Sequence, residues 1–137
     1  MIREVLIAAR ARIERYTPAE AAAADALIVD LRCDDVRTRD GIVPGSVHVP
    51  RSVLEWRVDP GSGYANPALA GRRLILMCEE GYSSSLAAAS LCDLGFDGAD
   101  LVGGFTAWLA EGLPTVPAPD PYPGLPGMGA PYEAALS

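Results

Sequence analysis

Cys78 is the residue of this chain best placed to do chemistry. It opens the stretch Cys78-Glu79-Glu80-Gly81-Tyr82-Ser83, which joins the apolar run Leu74-Ile75-Leu76-Met77 to the Ser/Ala-rich segment Ser84-Ser85-Leu86-Ala87-Ala88-Ala89. The apolar run suits a strand covered on both faces, and the segment after the loop suits a helix. A helix begins with N–H groups that have no partner inside it, and its dipole favours negative charge there. A sulfur facing such a terminus is stabilised as thiolate, the nucleophilic form, with a pKa below its usual value of about 8.5. The spacing therefore predicts a reactive sulfur. The competing reading is a free cysteine that packs as a small hydrophobe at a strand end.

The rest of the loop is read around that sulfur. Gly81 supplies a positive φ that lets backbone N–H groups converge, although an ordinary turn would use a glycine in the same way. Ser83 and Ser84 donate hydroxyl hydrogen bonds to the sulfur, cap the helix, or do both. Glu79 and Glu80 work against a thiolate: a carboxylate about 8 Å away costs it about 0.5 to 2 kcal/mol at effective dielectric constants of 80 to 20. The chain has no lysine, and its eleven arginines all lie at or before Arg73, so residues 74–137 hold eight carboxylates and no side-chain cation. Positive charge near Cys78 must come from the first half of the chain or from backbone dipoles.

Half of the 137 residues are apolar, enough for one domain with a real core. A net charge of −7 argues against nucleic-acid partners and anionic membrane surfaces. Three cysteines without framework spacing, and no paired Cys/His set, support neither a disulfide scaffold nor a metal site. The first residues lack a signal-peptide layout, and no apolar run approaches the ~18 residues a bilayer requires. A cytoplasmic setting is the expectation.

Along the chain, Ile2, Val5, Leu6, Ala9 and Ile13 share one helical face, which predicts an amphipathic helix over residues 1–15, packed on the domain or presented to a partner. Thr17-Pro18-Ala19-Glu20 is a capping box opening a short Ala-rich helix. Ala26 to Arg32 reads as a central parallel strand, Asp34 to Asp40 as a brief polar helix or turn, and Val47 to Val49 as a strand stopped by Pro50. A short helix over Ser52 to Arg57 and a turn at Pro67 to Ala70 lead into the Cys78 strand. The helix after the loop should end at Leu94, with Gly95 as its C′ residue. Ala99 to Val102 is the next strand, and Phe105 to Ala110 the closing helix. Strands alternating with helices imply a parallel sheet with helices on both faces, and ligands of such sheets sit at the carboxyl ends of strands, where Cys78 is. From Pro114 onward seven of the twelve prolines fall in 24 residues, a tail read as an extended arm or as a peptide ligand, with residues 117–137 separate from the domain.

Four stretches between Tyr16 and about Val116 resemble the rhodanese-like sulfurtransferase family. Asp30-Leu31-Arg32 is similar to the family's Asp-x-Arg element, and Gly41-Ile42-Val43-Pro44-Gly45-Ser46-Val47-His48-Val49-Pro50 to its His/Glu-Ile-Pro-Gly-Ala-x-x-Ile-Pro signature. Cys78-Glu79-Glu80-Gly81-Tyr82-Ser83-Ser84 resembles the catalytic loop, and Gly103-Gly104-Phe105-Thr106-Ala107-Trp108 the Gly-Gly-x-x-x-Trp close. The resemblance implies a rhodanese-like α/β domain over residues 16–116, with a central parallel sheet and helices on both faces. It also implies a cofactor-free reaction in which Cys78 takes sulfane sulfur from thiosulfate or a persulfide, a protein donor included. The resulting persulfide passes its sulfur to a thiophilic acceptor, a small thiol or a protein, in a ping-pong scheme. The six-residue loop departs from the seven residues of the related phosphatases. Many family members carry arginine where Ser83 stands, and the two glutamates here predict weak activity with thiosulfate, or a protein or persulfide donor instead.

The resemblance brings the segment after Pro50 near the loop, which makes Arg57, and after it Arg51, candidates for attracting an anionic donor. The other reading pairs them with Glu55 or Asp59. Asp30 and Arg32 read as a structural pair, His48 as a structural histidine, Cys92 as core, and Cys33 as a thiol with a possible resolving role that spacing cannot decide. A second function class, a low-turnover sulfur carrier or binding module docking through its acidic face or proline-rich tail, stands beside the enzyme. Cys-x5-Arg phosphatase or arsenate reductase chemistry is disfavoured, since it needs an arginine where Ser84 stands.

Overall fold

A computed structural model describes residues 1–119. Its sheet has five parallel strands in the order β1-β5-β4-β2-β3: β1 Glu14–Tyr16, β2 Leu27–Asp30, β3 Val47–His48, β4 Leu74–Met77 and β5 Gly98–Leu101. The helices between them are α1 Ile2–Ala11, α2 Pro18–Ala23, α3 Asp34–Asp40, α4 Leu54–Val58, α5 Ser83–Asp93 and α6 Gly104–Ala110, with short 3-10 turns at Arg51–Val53, Pro60–Ser62 and Pro67–Leu69.

Two cores follow from the alternation of side chains along the central strands. Leu27, Val29, Leu74 and Leu76 join Leu54, Ala87, Ala88 and Leu91, which seats α4 and α5 on one face. Ile28, Ile75, Met77 and Leu101 join Ala21, Phe105 and Trp108, which seats α2 and α6 on the other. With both faces covered, β2, β4 and β5 are buried along their whole length, and this is why their sequences carry no polar alternation. The alanines of α5 let that helix lie close to the sheet, and Ala87 and Ala88 are fully buried.

Local signals set the element ends. The Thr17 hydroxyl accepts from Glu20 N–H at 3.2 Å, and Glu20 Oε1 accepts from Thr17 N–H at 2.9 Å, completing the capping box of α2. Past α5, Gly95 has φ +89°. Phe96 N–H reaches Leu91 O at 2.9 Å, and Gly95 N–H reaches Cys92 O at 3.0 Å, a Schellman-type stop.

The N-terminal segment differs from its amphipathic pattern. The helix stops at Ala11, Ile2 and Val5 are exposed, and Glu14–Tyr16 forms an edge strand parallel to β5. Three residues with a charge at two of them give no period-2 signal, and a partner more than eighty residues away gives no local one. β1 also crosses the boundary expected at residue 15, joining the N-terminal segment to the sheet. α1 packs along α5, with an ion pair between Arg12 and Asp93. Residues from 120 onward, most of the expected tail, lie outside the described residues. No helix among the described residues is long and apolar enough to cross a membrane.

Asp30 ends β2 fully buried and holds two guanidinium groups, Arg32 through both carboxylate oxygens at 3.1 and 3.0 Å and Arg37 at 3.0 Å. Removing one member of a buried ion cluster strands the others without solvent. Asp30→Ala should therefore lower unfolding free energy by about 3–5 kcal/mol in a urea titration. A loss below about 1 kcal/mol would contradict this account of the cluster.

Candidate functional site

Cys78 follows directly on β4, is 8% exposed, and faces the first turn of α5. Gly81 N–H lies 3.1 Å and Ser84 N–H 3.4 Å from its sulfur. Burial by itself pushes the Cys78 thiol up. The hydroxyls of Ser83 and Ser84, with the N–H groups of Ser84 and Gly81, outweigh that and bring it below the ordinary thiol range. Backbone and hydroxyl dipoles thus overcome the burial, despite the two glutamates in the loop.

The N–H groups converge because the loop carbonyls are held outward. Cys78 O accepts from Phe105 N–H at 2.9 Å and Glu79 O from Thr106 N–H at 3.0 Å, using donors that the start of α6 leaves free. The double glycine makes this approach possible. Gly104 has φ +60°, and a Cβ there would come within 2.7 Å of Glu79 O. Gly81 has φ +88°, and a Cβ on it would stand 2.7 Å from Gly103 N.

The third carbonyl, Gly81 O, takes the cations. Arg10 Nη2 donates to it at 2.8 Å and Arg15 Nη2 at 3.4 Å. Arg15 also grips Asp100 with Nε at 2.8 Å and Nη2 at 3.2 Å, and Asp100 accepts from Ser84 Oγ at 3.0 Å and Ser85 Oγ at 2.6 Å. Arg10 Nε donates to Ser85 Oγ at 3.0 Å. These two arginines therefore come from α1 and β1 and bind the back of the loop. Sequence reasoning placed cations in the first half of the chain but did not select these two, nor Asp100 and Ser85. One local signal was present: Asp100 is a carboxylate inside the otherwise apolar Gly98-Ala99-Asp100-Leu101.

The two glutamates are not equivalent. Glu79 Oε2 lies 3.9 Å from Nη1 of the buried Arg32, whose guanidinium stacks 3.7 Å from the centre of the Phe105 ring. Glu80 is exposed, as are Tyr82 and Ser83. Arg51 donates to both oxygens of Glu55 at 2.9 and 3.1 Å, and Glu55 also accepts from Ser90 on α5. Arg57 is buried, and its Nη1 donates to Tyr64 O at 2.9 Å. His48 Nε2 bonds Arg32 O at 2.7 Å; burial, joined by the charge of Arg37, pushes this imidazole below its ordinary pKa. Cys33 is exposed at the start of α3, and the half-buried Cys92 thiol donates to Gly98 O at 3.4 Å. A cavity of about 410 Å³ between α2, the start of β2 and Trp108 does not include Cys78.

This fold and loop agree with a family match. A model of the rhodanese-like domain matches residues 15–111, and the chain belongs to the rhodanese-like domain family. Among solved structures it is similar to a protein of unknown function from Rhodopseudomonas palustris, described as a possible tyrosine phosphatase, with 36% identity and a TM-score of 0.79 over 85% of this chain and 94% of that one. A polysulfide-sulfur transferase homodimer from Wolinella succinogenes shares 25% identity at a TM-score of 0.63, over 85% of this chain and 87% of that one. A thiosulfate sulfurtransferase from Pseudomonas aeruginosa shares the fold at 24% identity and a TM-score of 0.60, over 91% of this chain and 25% of that one. No curated protein sequence matches the chain. The family match and the similarity to the polysulfide-sulfur transferase support a role of the sulfurtransferase type.

Because donors lower the Cys78 pKa, thiolate persists to lower pH than in an ordinary cysteine. The rate of Cys78 alkylation by iodoacetamide should rise with pH through a midpoint below that of the same cysteine in the unfolded chain. Ser83→Ala should move that midpoint upward by about half a unit or more. A midpoint unchanged by this substitution would remove Ser83 from the cradle.

Proposed function

We propose that this protein is a sulfurtransferase working through a Cys78 persulfide, cradled by Glu79, Glu80, Gly81, Tyr82, Ser83 and Ser84. The observation that carries this reading is the pair of N–H groups, from Gly81 and Ser84, directed at the sulfur. The Cys78 thiolate attacks the sulfane sulfur of a donor. With thiosulfate, the S–S bond breaks and sulfite leaves with the electron pair. With a persulfide, a thiolate leaves. The terminal sulfur of Cys78–S–S⁻ is then attacked by an acceptor thiol or another thiophile, and the Cys78 thiolate departs. Sulfur changes hands twice, and no outside oxidant or reductant enters. A low thiol pKa makes the second departure easier.

Arg57, and to a smaller extent Arg51, helps admit an anionic donor; Arg51 takes the lesser part because Glu55 already opposes its charge. Glu80 repels such donors from an exposed position, so a persulfide or a protein-bound donor suits the site better than thiosulfate. Similarity to a polysulfide-sulfur transferase supports a sulfane chain as donor. The free cysteines suit a reducing compartment such as the cytoplasm. The similar Rhodopseudomonas palustris protein raises a phosphatase alternative. Against it, Ser84 stands where Cys-x5-Arg chemistry needs the arginine that clamps a phosphoryl group.

Mass spectrometry tests the reading directly. After incubation with thiosulfate or a small persulfide, the wild-type protein should gain the mass of one sulfur at Cys78, and Cys78→Ala should gain none; a wild-type protein that stays unlabelled with both donors rejects it. Glu80→Gln should raise kcat/KM for thiosulfate by about two- to tenfold at low ionic strength, with the gain shrinking as salt is added. An unchanged rate would show that the exposed carboxylate does not shape donor choice.

A further inference from the structure

Arg10 stands on α1, ahead of the stretch that matches the rhodanese-like domain, and its side chain reaches the loop of Cys78. Its Nη2 donates to Gly81 O at 2.8 Å, its Nε donates to Ser85 Oγ at 3.0 Å, and its Cζ lies 5.7 Å from the centre of the Tyr82 ring. A planar fork held at both ends fixes orientation as well as position, which a point charge would not. Because α1 packs along α5, the fork is carried on a seated helix. Two longer bonds back it at the same carbonyl, from Ser85 Oγ at 3.3 Å and Arg15 Nη2 at 3.4 Å, while the shorter bonds of Arg15 go to Asp100.

The consequence falls on the other half of that peptide unit. There are no cis peptide bonds among the described residues, so the Gly81–Tyr82 unit is planar and trans, with its N–H opposite its C=O. Drawing Gly81 O toward Arg10 therefore turns Tyr82 N–H away from α1. In sequence this group lies between the N–H groups of Gly81 and Ser84, which meet the Cys78 sulfur at 3.1 and 3.4 Å. Unlike them, it has no hydrogen-bond acceptor among the described residues. The guanidinium charge also polarises the peptide and strengthens this N–H as a donor.

We propose that Arg10 is a positioning residue that aims the Tyr82 N–H at the outer sulfur of the Cys78 persulfide and so favours the sulfur-loaded form of the protein. This rests on the sulfurtransferase reading and divides the labour within it. The N–H groups of Gly81 and Ser84 hold the sulfur of Cys78, and the peptide that Arg10 orients holds the sulfur that is carried.

Sulfur loading at equilibrium tests the proposal, with a small persulfide and its thiol present at a fixed ratio. The Cys78 thiolate attacks the outer sulfur of the small persulfide, the S–S bond breaks, and the small thiolate leaves with the electron pair. The proton of the transferred sulfur goes to solvent. Intact-mass spectrometry reads the loaded fraction at a pH above the alkylation midpoint, where Cys78 is an anion both before and after loading. Loss of a distant charge then acts on both forms alike and cancels, whereas loss of a hydrogen bond to the outer sulfur does not. Arg10→Gln should lower the loading constant about five- to tenfold, while the alkylation midpoint of unloaded Cys78 moves by less than about half a unit. A second variant leaves Arg10 in place: the hydroxy-acid analogue of Tyr82 turns the peptide into an ester and deletes the N–H. It should lower loading to a similar extent, and in that background Arg10→Gln should change loading by less than about twofold. Undiminished loading in either variant overturns the proposal, as does an Arg10→Gln effect that keeps its full size in the ester background. A midpoint raised by more than about one unit in Arg10→Gln also overturns it, since a residue that merely props the loop would disturb the thiolate as well. A wild-type protein that takes up no sulfur rejects the sulfurtransferase reading and this proposal together, whereas equal loading of wild type and Arg10→Gln removes the proposal alone.

Discussion

The site depends on a loop whose carbonyls are bound on its outside, so that its N–H groups are free on the inside. Three carbonyls, those of Cys78, Glu79 and Gly81, accept from Phe105, Thr106, Arg10 and Arg15. Each of these bonds takes a lone pair that would otherwise face the sulfur and repel a thiolate. What remains facing inward is a set of donors, from Gly81 and Ser84. The glycine pair at 103 and 104, the burial of α6 against the sheet and the reach of two N-terminal arginines all serve this one orientation.

Charge balance around the loop follows from the same arrangement. Cations behind the loop polarise a carbonyl and neutralise a buried carboxylate, and they do not touch the sulfur. Glu79 is opposed by Arg32, which is itself held by Asp30 and stacked on Phe105, while Glu80 stands in solvent. The acidity at the mouth therefore comes mainly from one exposed side chain, where screening is strong. The low-lying thiol is a property of fixed dipoles close to it, and these are insensitive to salt. Among the described residues, the hydrogen bonds to the sulfur come from the N–H groups of Gly81 and Ser84 and from no cation.

Much of the fold was legible in short stretches. The capping box at Thr17 to Glu20, the apolar runs of β2 and β4, and the Gly95 stop each depend on neighbours within a few residues, and each forms where the pattern says. β1 was not legible, because Glu14-Arg15-Tyr16 becomes a strand only when β5 offers it an edge. The outer face of α1 was misread for a related reason. Ile2 and Val5 match a helical period, but α5 covers only part of that helix, and periodicity cannot report how far a neighbour extends.

Sequence alone singled out Cys78 and the length of its loop, the positive φ expected at Gly81, and the rule that any cation must come from the first half of the chain. These are properties of residue type and spacing. Only the tertiary structure decided which cations arrive, that they bind a carbonyl and Asp100 in preference to the sulfur, and that Arg32 opposes one glutamate of the pair. The partners in those contacts are separated by 47 to 85 residues in sequence, as with Arg32–Glu79 and Arg15–Asp100. Their distance is set by the order of strands in the sheet and by nothing local to either residue.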